Sequence, residues 1–173
     1  LCDWETVSFP EPFANGVVFD NNSIYVIGPE GTVYRSSDDG VTWDTIIIGH
    51  DDIQPYGLDI AHKVGEYIII SQNIIPPYYN FRAHASGNGE MFWEYLPYQD
   101  SAIYDILSHG EVIYATSWMN EGLMVSADAG STWEIVELPS EEYFELLYAD
   151  GQFIYVSDGC ELYRASVDSY TWE

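Results

Sequence analysis

Five of the chain's six tryptophans recur at near-constant spacing, each followed by an acid. Trp4, Trp43, Trp93, Trp133 and Trp172 read WE, WD, WE, WE and WE, at intervals of 39, 50, 40 and 39 residues. A period near 40 constrains the fold more than composition does, because each repeat must be one supersecondary unit that buries its apolar surface against its neighbours. Segments 17–43 and 146–172 align without a gap, 107–133 has the same layout with small shifts, and the second unit, 58–93, is about ten residues longer.

Each unit consists of short β-rich runs broken by turn residues. The first reads GVVFD, a turn at NN, SIYVIG, a turn at PEG, TVYRS, an Asp-rich turn, and WDTIII. These runs predict four strands, A to D. TVYRS alternates, whereas YIIIS and DTIII are almost wholly apolar, the pattern of strands buried on both faces. No stretch carries a helical period. Four-stranded units at this spacing predict an all-β fold, a β-propeller of about four blades that stands alone or forms part of a larger ring. The single propeller domain spans 1–173, with a lone strand D at 1–8 and blade units at 13–48, 56–98, 102–138 and 143–173.

Two of the turns between strands C and D carry one pattern, SSDDGVTW at 36–43 and SADAGSTW at 126–133. Both fit Ser-x-Asp-x-Gly-x-Thr-Trp, which resembles the Asp-box, or BNR, repeat of sialidases, sortilin-type receptors, photosystem assembly factors and many secreted glycosidases. SGNGEMFW (86–93) and ASVDSYTW (165–172) read as degenerate copies, and Asp3–Trp4 as the tail of a fifth. The residue chemistry is that of a turn: a short carboxylate accepts backbone N–H groups, Gly takes a positive φ, and Trp lays its ring on a neighbouring strand. Ser36, Asp38, Gly40, Thr42 and Trp43, with Ser126, Asp128, Gly130, Thr132 and Trp133, are therefore expected to be structural.

The same resemblance implies one enzymatic reading. Sialidases of this fold clamp a sugar carboxylate with three Arg beside a Tyr–Glu nucleophile pair and an Asp acid. This chain has three Arg, and Arg35 and Arg164 each directly follow a strand C Tyr. Arginines at one repeat position on separate blades do not converge on a single carboxylate, so the clamp is missing and no catalytic residue is assigned. The acid pairs Asp51–Asp52 and Glu141–Glu142 read as solvated loop charge. His50, His62, His84 and His109 show no metal-ligand spacing, and His62 and His109 are both placed in A–B turns. No metal and no cofactor is expected.

In a propeller the A–B and C–D turns share one face, and the B–C and D–A turns the other; the resemblance places ligand sites on the second. There Tyr56, Tyr98 and Tyr143 come from D–A loops, Tyr78 and Tyr79 from the long B–C insertion of the second blade, and Trp118 from the B–C turn of the third. Aromatics on rigid turns suit sugar stacking or a protein hot spot, and Tyr78, Tyr79 and Trp118 are expected to form the main contact patch.

With 29 acids against 4 Lys plus Arg, the net charge is −25. Nucleic acid and anionic membranes are poor candidates as partners, since binding them relies on clustered basic residues; no nucleic acid and no membrane insertion are expected, as no apolar run is long enough to span a bilayer. Opening at Leu1 in mid-pattern, the chain reads as processed or cut from something longer. Three closures stay open: Trp4's strand pairs with 161–165, further blades complete the ring, or the lone strand adds to another subunit. If it pairs with 161–165, Cys2 and Cys160 fall at opposite strand ends and form no disulfide. The sequence as a whole reads as a non-enzymatic binding or assembly module on an extracellular or virion surface. It would contact a glycan or protein subunits, with homo- or hetero-oligomers open to it. The alternative is a fragment of a sialidase-like glycoside hydrolase.

Overall fold

The computed structural model describes residues 5–12, 14–20, 22–48, 58–72, 79–84, 91, 93–96, 103–117, 122–140 and 144–173. Every element among them is a strand. The first blade contains β1 (Gly16–Asp20), β2 (Ser23–Ile27), β3 (Thr32–Ser36) and β4 (Asp44–Ile47). The second contains β5 (Leu58–Val64), β6 (Tyr67–Gln72), β7 (Asn80–His84) and β8 (Trp93–Tyr95). The third contains β9 (Ile103–His109), β10 (Val112–Ser117), β11 (Gly122–Ser126) and β12 (Glu134–Glu137). The fourth has three strands, β13 (Glu145–Ala149), β14 (Phe153–Ser157) and β15 (Leu162–Ser166). All four are antiparallel meanders in sequence order. In the fourth, strand D is represented by a bridge from Trp172 to Ala165 and paired backbone bonds between Arg164 and Glu173.

The blades stack in series, β1 on β5, β5 on β9 and β9 on β13. Three apolar clusters fill the joints. Tyr25, Ile27 and Val33 meet Ile68, Ile70 and Phe81 between blades one and two. Ile69 and Val64 meet Ile106, Ile113 and Met124 between two and three. Tyr114, Leu123 and Val125 meet Leu146, Ile154 and Val156 between three and four. Strands alternate their side chains between the two faces, so each middle blade is sandwiched, and the Ile68–Ile70 run is 1% exposed throughout. DTIII departs from its expected burial on both faces: Asp44, Thr45 and Ile47 of β4 are exposed, Ile47 by 76%. Strand D is the outermost of a blade, and only its inward residues meet a neighbour.

The ladders also correct the gap-free alignment of units one and four. Tyr25 pairs with Arg35, whereas Arg164 pairs with Tyr155 and not with Ile154. Five residues (28–32) separate the paired ends Ile27 and Val33, but four (158–161) separate Ser157 and Leu162. The gap therefore falls in the B–C turn. With side chains at period two, that one residue decides which face of the sheet a strand B side chain joins. In true register Tyr25, Ile69, Tyr114 and Tyr155 occupy one site, opposite Arg35, Arg82, Val125 and Arg164.

Ile154 is fully buried at the joint between blades three and four. Ile154→Ala is expected to cost about 2–5 kcal/mol through lost transfer energy and a residual cavity. Ile135→Ala, at a half-exposed site, should cost well under that, and paired urea titrations check the difference.

Candidate functional site

The turns at 36–43 and 126–133 share one set of Ser, Asp, Gly and Thr bonds. In the first, Asp38 Oδ1 accepts the Thr42 N–H at 2.8 Å and Oδ2 the Thr42 hydroxyl at 2.6 Å. In the second, Asp128 accepts from Thr132 at 2.8 and 2.7 Å. Ser36 and Ser126 donate their hydroxyls to these carboxylates and accept the N–H of Gly40 and Gly130, each at 2.8 Å. Both glycines are left-handed, at φ 85° and 86°, and follow left-handed Asp39 and Ala129. The serines are 1% exposed, whereas the carboxylates face solvent. The buried acceptor of the turn is thus the Ser hydroxyl, a division of labour that the sequence pattern does not reveal. The degenerate copy in blade four folds differently, with Tyr170 left-handed and its N–H on the Ser166 carbonyl. The copy at 86–93 lies mostly outside the described residues.

Among the described residues, turn bonds account for every acid whose affinity for a proton is altered. The Thr42 hydroxyl foremost holds Asp38 below the usual carboxylate range, and the Thr132 N–H does the same for Asp128. Asp150 is lowered by the Phe153 and Gln152 N–H groups, and Asp158 by those of Glu161 and Cys160. None of these carboxylates is poised as a general acid. Asp105 also serves the frame: it accepts the Leu146 N–H at 2.8 Å, tying blade three to blade four.

The arginines share one strand position, and one of them crosses a joint. Arg35, Arg82 and Arg164 all lie on strand C, opposite the acid that follows the repeat Trp: Asp44, Glu94 and Glu173. A longer C–D connection hides Arg82's membership in this set from sequence spacing. Arg82 shows the function of the position. It is ion-paired with Glu94, stacked 4.8 Å from the Tyr67 ring centre, and bonded to the Asp128 carbonyl at 3.1 Å, the Ala129 carbonyl at 2.8 Å and Ser131 Oγ at 2.7 Å. A side chain of one blade thereby locks the turn of the next. Beside it, a cleft of about 480 Å³ is lined by Gly65, Glu66, Glu111 and Asp128. A–B and C–D turns do share this face.

The histidines correct the sequence reading. His62 lies inside β5 opposite Ile69, and His109 ends β9 opposite Val112, so they occupy different repeat positions. The His62 ring stands 3.0 Å from Ser108 Oγ, and burial lowers its basicity. His84 meets Glu66 at 3.0 Å. Among the described residues, no group of three or more His, Cys, Asp or Glu could hold a metal ion. His50, Asp51–Asp52, Glu141–Glu142 and Cys2 lie outside the described residues; Cys160 is free and exposed in the Asp158 turn.

Of the expected aromatic rim, Tyr56, Tyr78, Tyr98, Trp118 and Tyr143 lie outside the described residues. Tyr79 is described and is partly buried. It packs inward on Phe81 and Tyr95, at 6.2 and 5.6 Å between centroids, against the cluster joining blades one and two. A ring at the end of a joint gains more by covering that cluster than by standing in water.

Two outcomes follow for the turns. Ser126→Ala leaves the buried Gly130 N–H without its acceptor and is expected to cost about 1–3 kcal/mol. Asp128→Ala, whose donors can turn to water, should cost less; thermal melts of both variants check the order. Because Asp38 and Asp128 bind protons more weakly folded than unfolded, their contribution is full above about pH 4 and is lost as pH falls through their folded values. Asp128→Asn should flatten that acid limb.

No protein-family model matches the sequence, and no curated protein matches it. Solved structures do match in fold. Virginiamycin B lyase from Staphylococcus aureus superposes with a TM-score of 0.67 at 14% identity, over 92% of this chain and 54% of that one. YCF48 bound to D1 peptide superposes with a TM-score of 0.70 at 15% identity, over 98% and 55%. The computationally designed Ika4 protein superposes at 0.64 and 12% identity, over 99% and 97%. The chain spans a little over half the length of the first two. These likenesses, with four antiparallel sheets in series, establish the fold as a β-propeller of about four blades.

Proposed function

We propose that the chain is an Asp-box-type propeller acting as a non-enzymatic binding or assembly module. It would work on an extracellular or virion surface and contact a glycan or protein partner through the face opposite the Asp turns. One observation carries the reading: the groups that could do sialidase-like chemistry are committed to the frame. Arg35, Arg82 and Arg164 occupy one position on three of the four sheets, and the acids with altered proton affinity hold turns. Chemical specificity then falls to the loops, where the sequence places Tyr56, Tyr78, Tyr98, Trp118 and Tyr143. YCF48, a propeller of similar fold, is solved with a D1 peptide bound, which supports peptide recognition as one use of such a fold. A surface of net charge −25 favours basic partners over acidic ones.

The test pairs a glycan array and a panel of basic and acidic peptides with a fluorogenic sialoside assay. The expected result is saturable binding without turnover, weakened about tenfold or more by Trp118→Ala or Tyr78→Ala at unchanged melting temperature. Sialoside hydrolysis, or binding indifferent to both substitutions, would overturn the reading.

A further inference from the structure

The row of blades has two ends, and each lacks what the other carries. Among the described residues no cluster joins blade four to blade one. The face of blade four turned away from blade three is apolar and open. Two residues before each strand C arginine position, Val33, Asn80 and Leu123 are 1%, 1% and 0% exposed, whereas Leu162 is 63% exposed. At the strand B site, Tyr25, Ile69 and Tyr114 are buried under the following blade, while Tyr155 is only partly buried, beside Tyr148 at 58% exposure. Blade one shows the converse. Val17 occupies the site of Ile106 in blade three, and they are 53% and 7% exposed; Phe19, on the same face, is 67% exposed.

The lone N-terminal segment explains what belongs there. Trp172 donates its indole N–H to the carbonyl of Glu137, the last residue of the preceding blade's strand D, at 2.9 Å. Trp43 makes the same bond, at 2.9 Å, to the carbonyl of Ser8, also 35 residues earlier. Val7 lies against Gly40 as Leu96 lies against Gly130. Residues 5–8 therefore sit on blade one where strand D of a preceding blade would sit, yet they belong to no ladder. Blade four, in turn, has three strands with Trp172–Glu173 paired on the third, beside a cleft of about 280 Å³ lined by Tyr155, Leu162, Tyr163, Arg164 and Glu173.

We infer that a second copy of this chain covers both ends. Blade four of each protomer docks on blade one of the other, and two such junctions about a two-fold axis close a ring of eight blades. In each junction Thr6–Ser8 of one copy continue strand D along Tyr163, Leu162 and Glu161 of the other, the register that β4 keeps along β3. Arg164, paired with Glu173 as Arg82 is with Glu94, reaches the carbonyls of the 36–43 turn as Arg82 reaches those of 126–133. The fit is also one of charge: one of the chain's few cations meets the acidic turn at Asp38 and Asp39. A second copy supplies both missing halves at once. The inference concerns the ends of the row and stands apart from the loop face proposed above.

Sedimentation velocity and light scattering of the purified chain at about 0.15 M salt and above test it. The expected species has twice the 19.6 kDa mass of one chain, and higher salt should favour it by screening acidic self-repulsion. Phe19→Asp and Leu162→Asp, both at exposed sites, should each halve that mass with unchanged circular dichroism, while the rim variant Ile135→Asp stays double. A chain that remains single at high concentration and salt would overturn the inference and leave further blades in cis as the cover. An open-ended polymer would overturn the closed ring, and a dimer indifferent to Phe19 and Leu162 would place the contact elsewhere.

Discussion

A blade of this protein is a sheet with two apolar faces, and the rest of the structure depends on covering both. Strand B shows the requirement most clearly: Ile68, Ile69 and Ile70 alternate between the joints to blades one and three, and all are sealed from water. At roughly 1.5–3 kcal/mol for each such side chain, a blade in isolation would forfeit most of what stabilises it. The repeat is thus a physical necessity rather than a record of duplication alone, and a row of blades is exposed at its ends.

Stacking also explains why so acidic a chain keeps its few cations where it does. Lys63 of blade two pairs with Asp20 of blade one at 2.6 Å, and Arg82 of blade two holds the turn of blade three. These bonds cross joints, where apolar contact alone would let sheets slide, and they fix the angle between neighbours. The turn that Arg82 meets is rigid for its own reasons, namely a buried Ser hydroxyl, a left-handed pair ending in Gly, and a carboxylate closing the loop from outside. Its stiffness is what makes it a usable docking point.

Much of this was legible in the sequence, because the signals were local and repeated. The Trp-acid period gave the blades, and the first unit's runs match β1, β2 and β3 almost to the residue. Other features could not be read there. A single missing residue in the B–C turn of blade four is invisible to a gap-free alignment but flips strand B, and only the ladder reveals that Tyr155 replaces Ile154. Arg82's kinship with Arg35 and Arg164 was concealed by loop length, since strand pairing rather than spacing defines the position. Strand D looked buried because apolar content does not report whether a neighbour lies beyond the edge. The inward turn of Tyr79 was likewise a matter of which apolar surface lay within reach.

The claim that each blade is held by its neighbours on both faces is tested most directly by residue-resolved amide exchange at a concentration where the chain is single. Protection should peak in the sandwiched strands β6, β7, β10 and β11 and fall in β14 and β15, whose outer face is open, with the largest free energies near that of global unfolding. Protection in β14 and β15 equal to that of β10 and β11 would contradict the account, because it would show that a blade with one bare face is as stable as one enclosed on both.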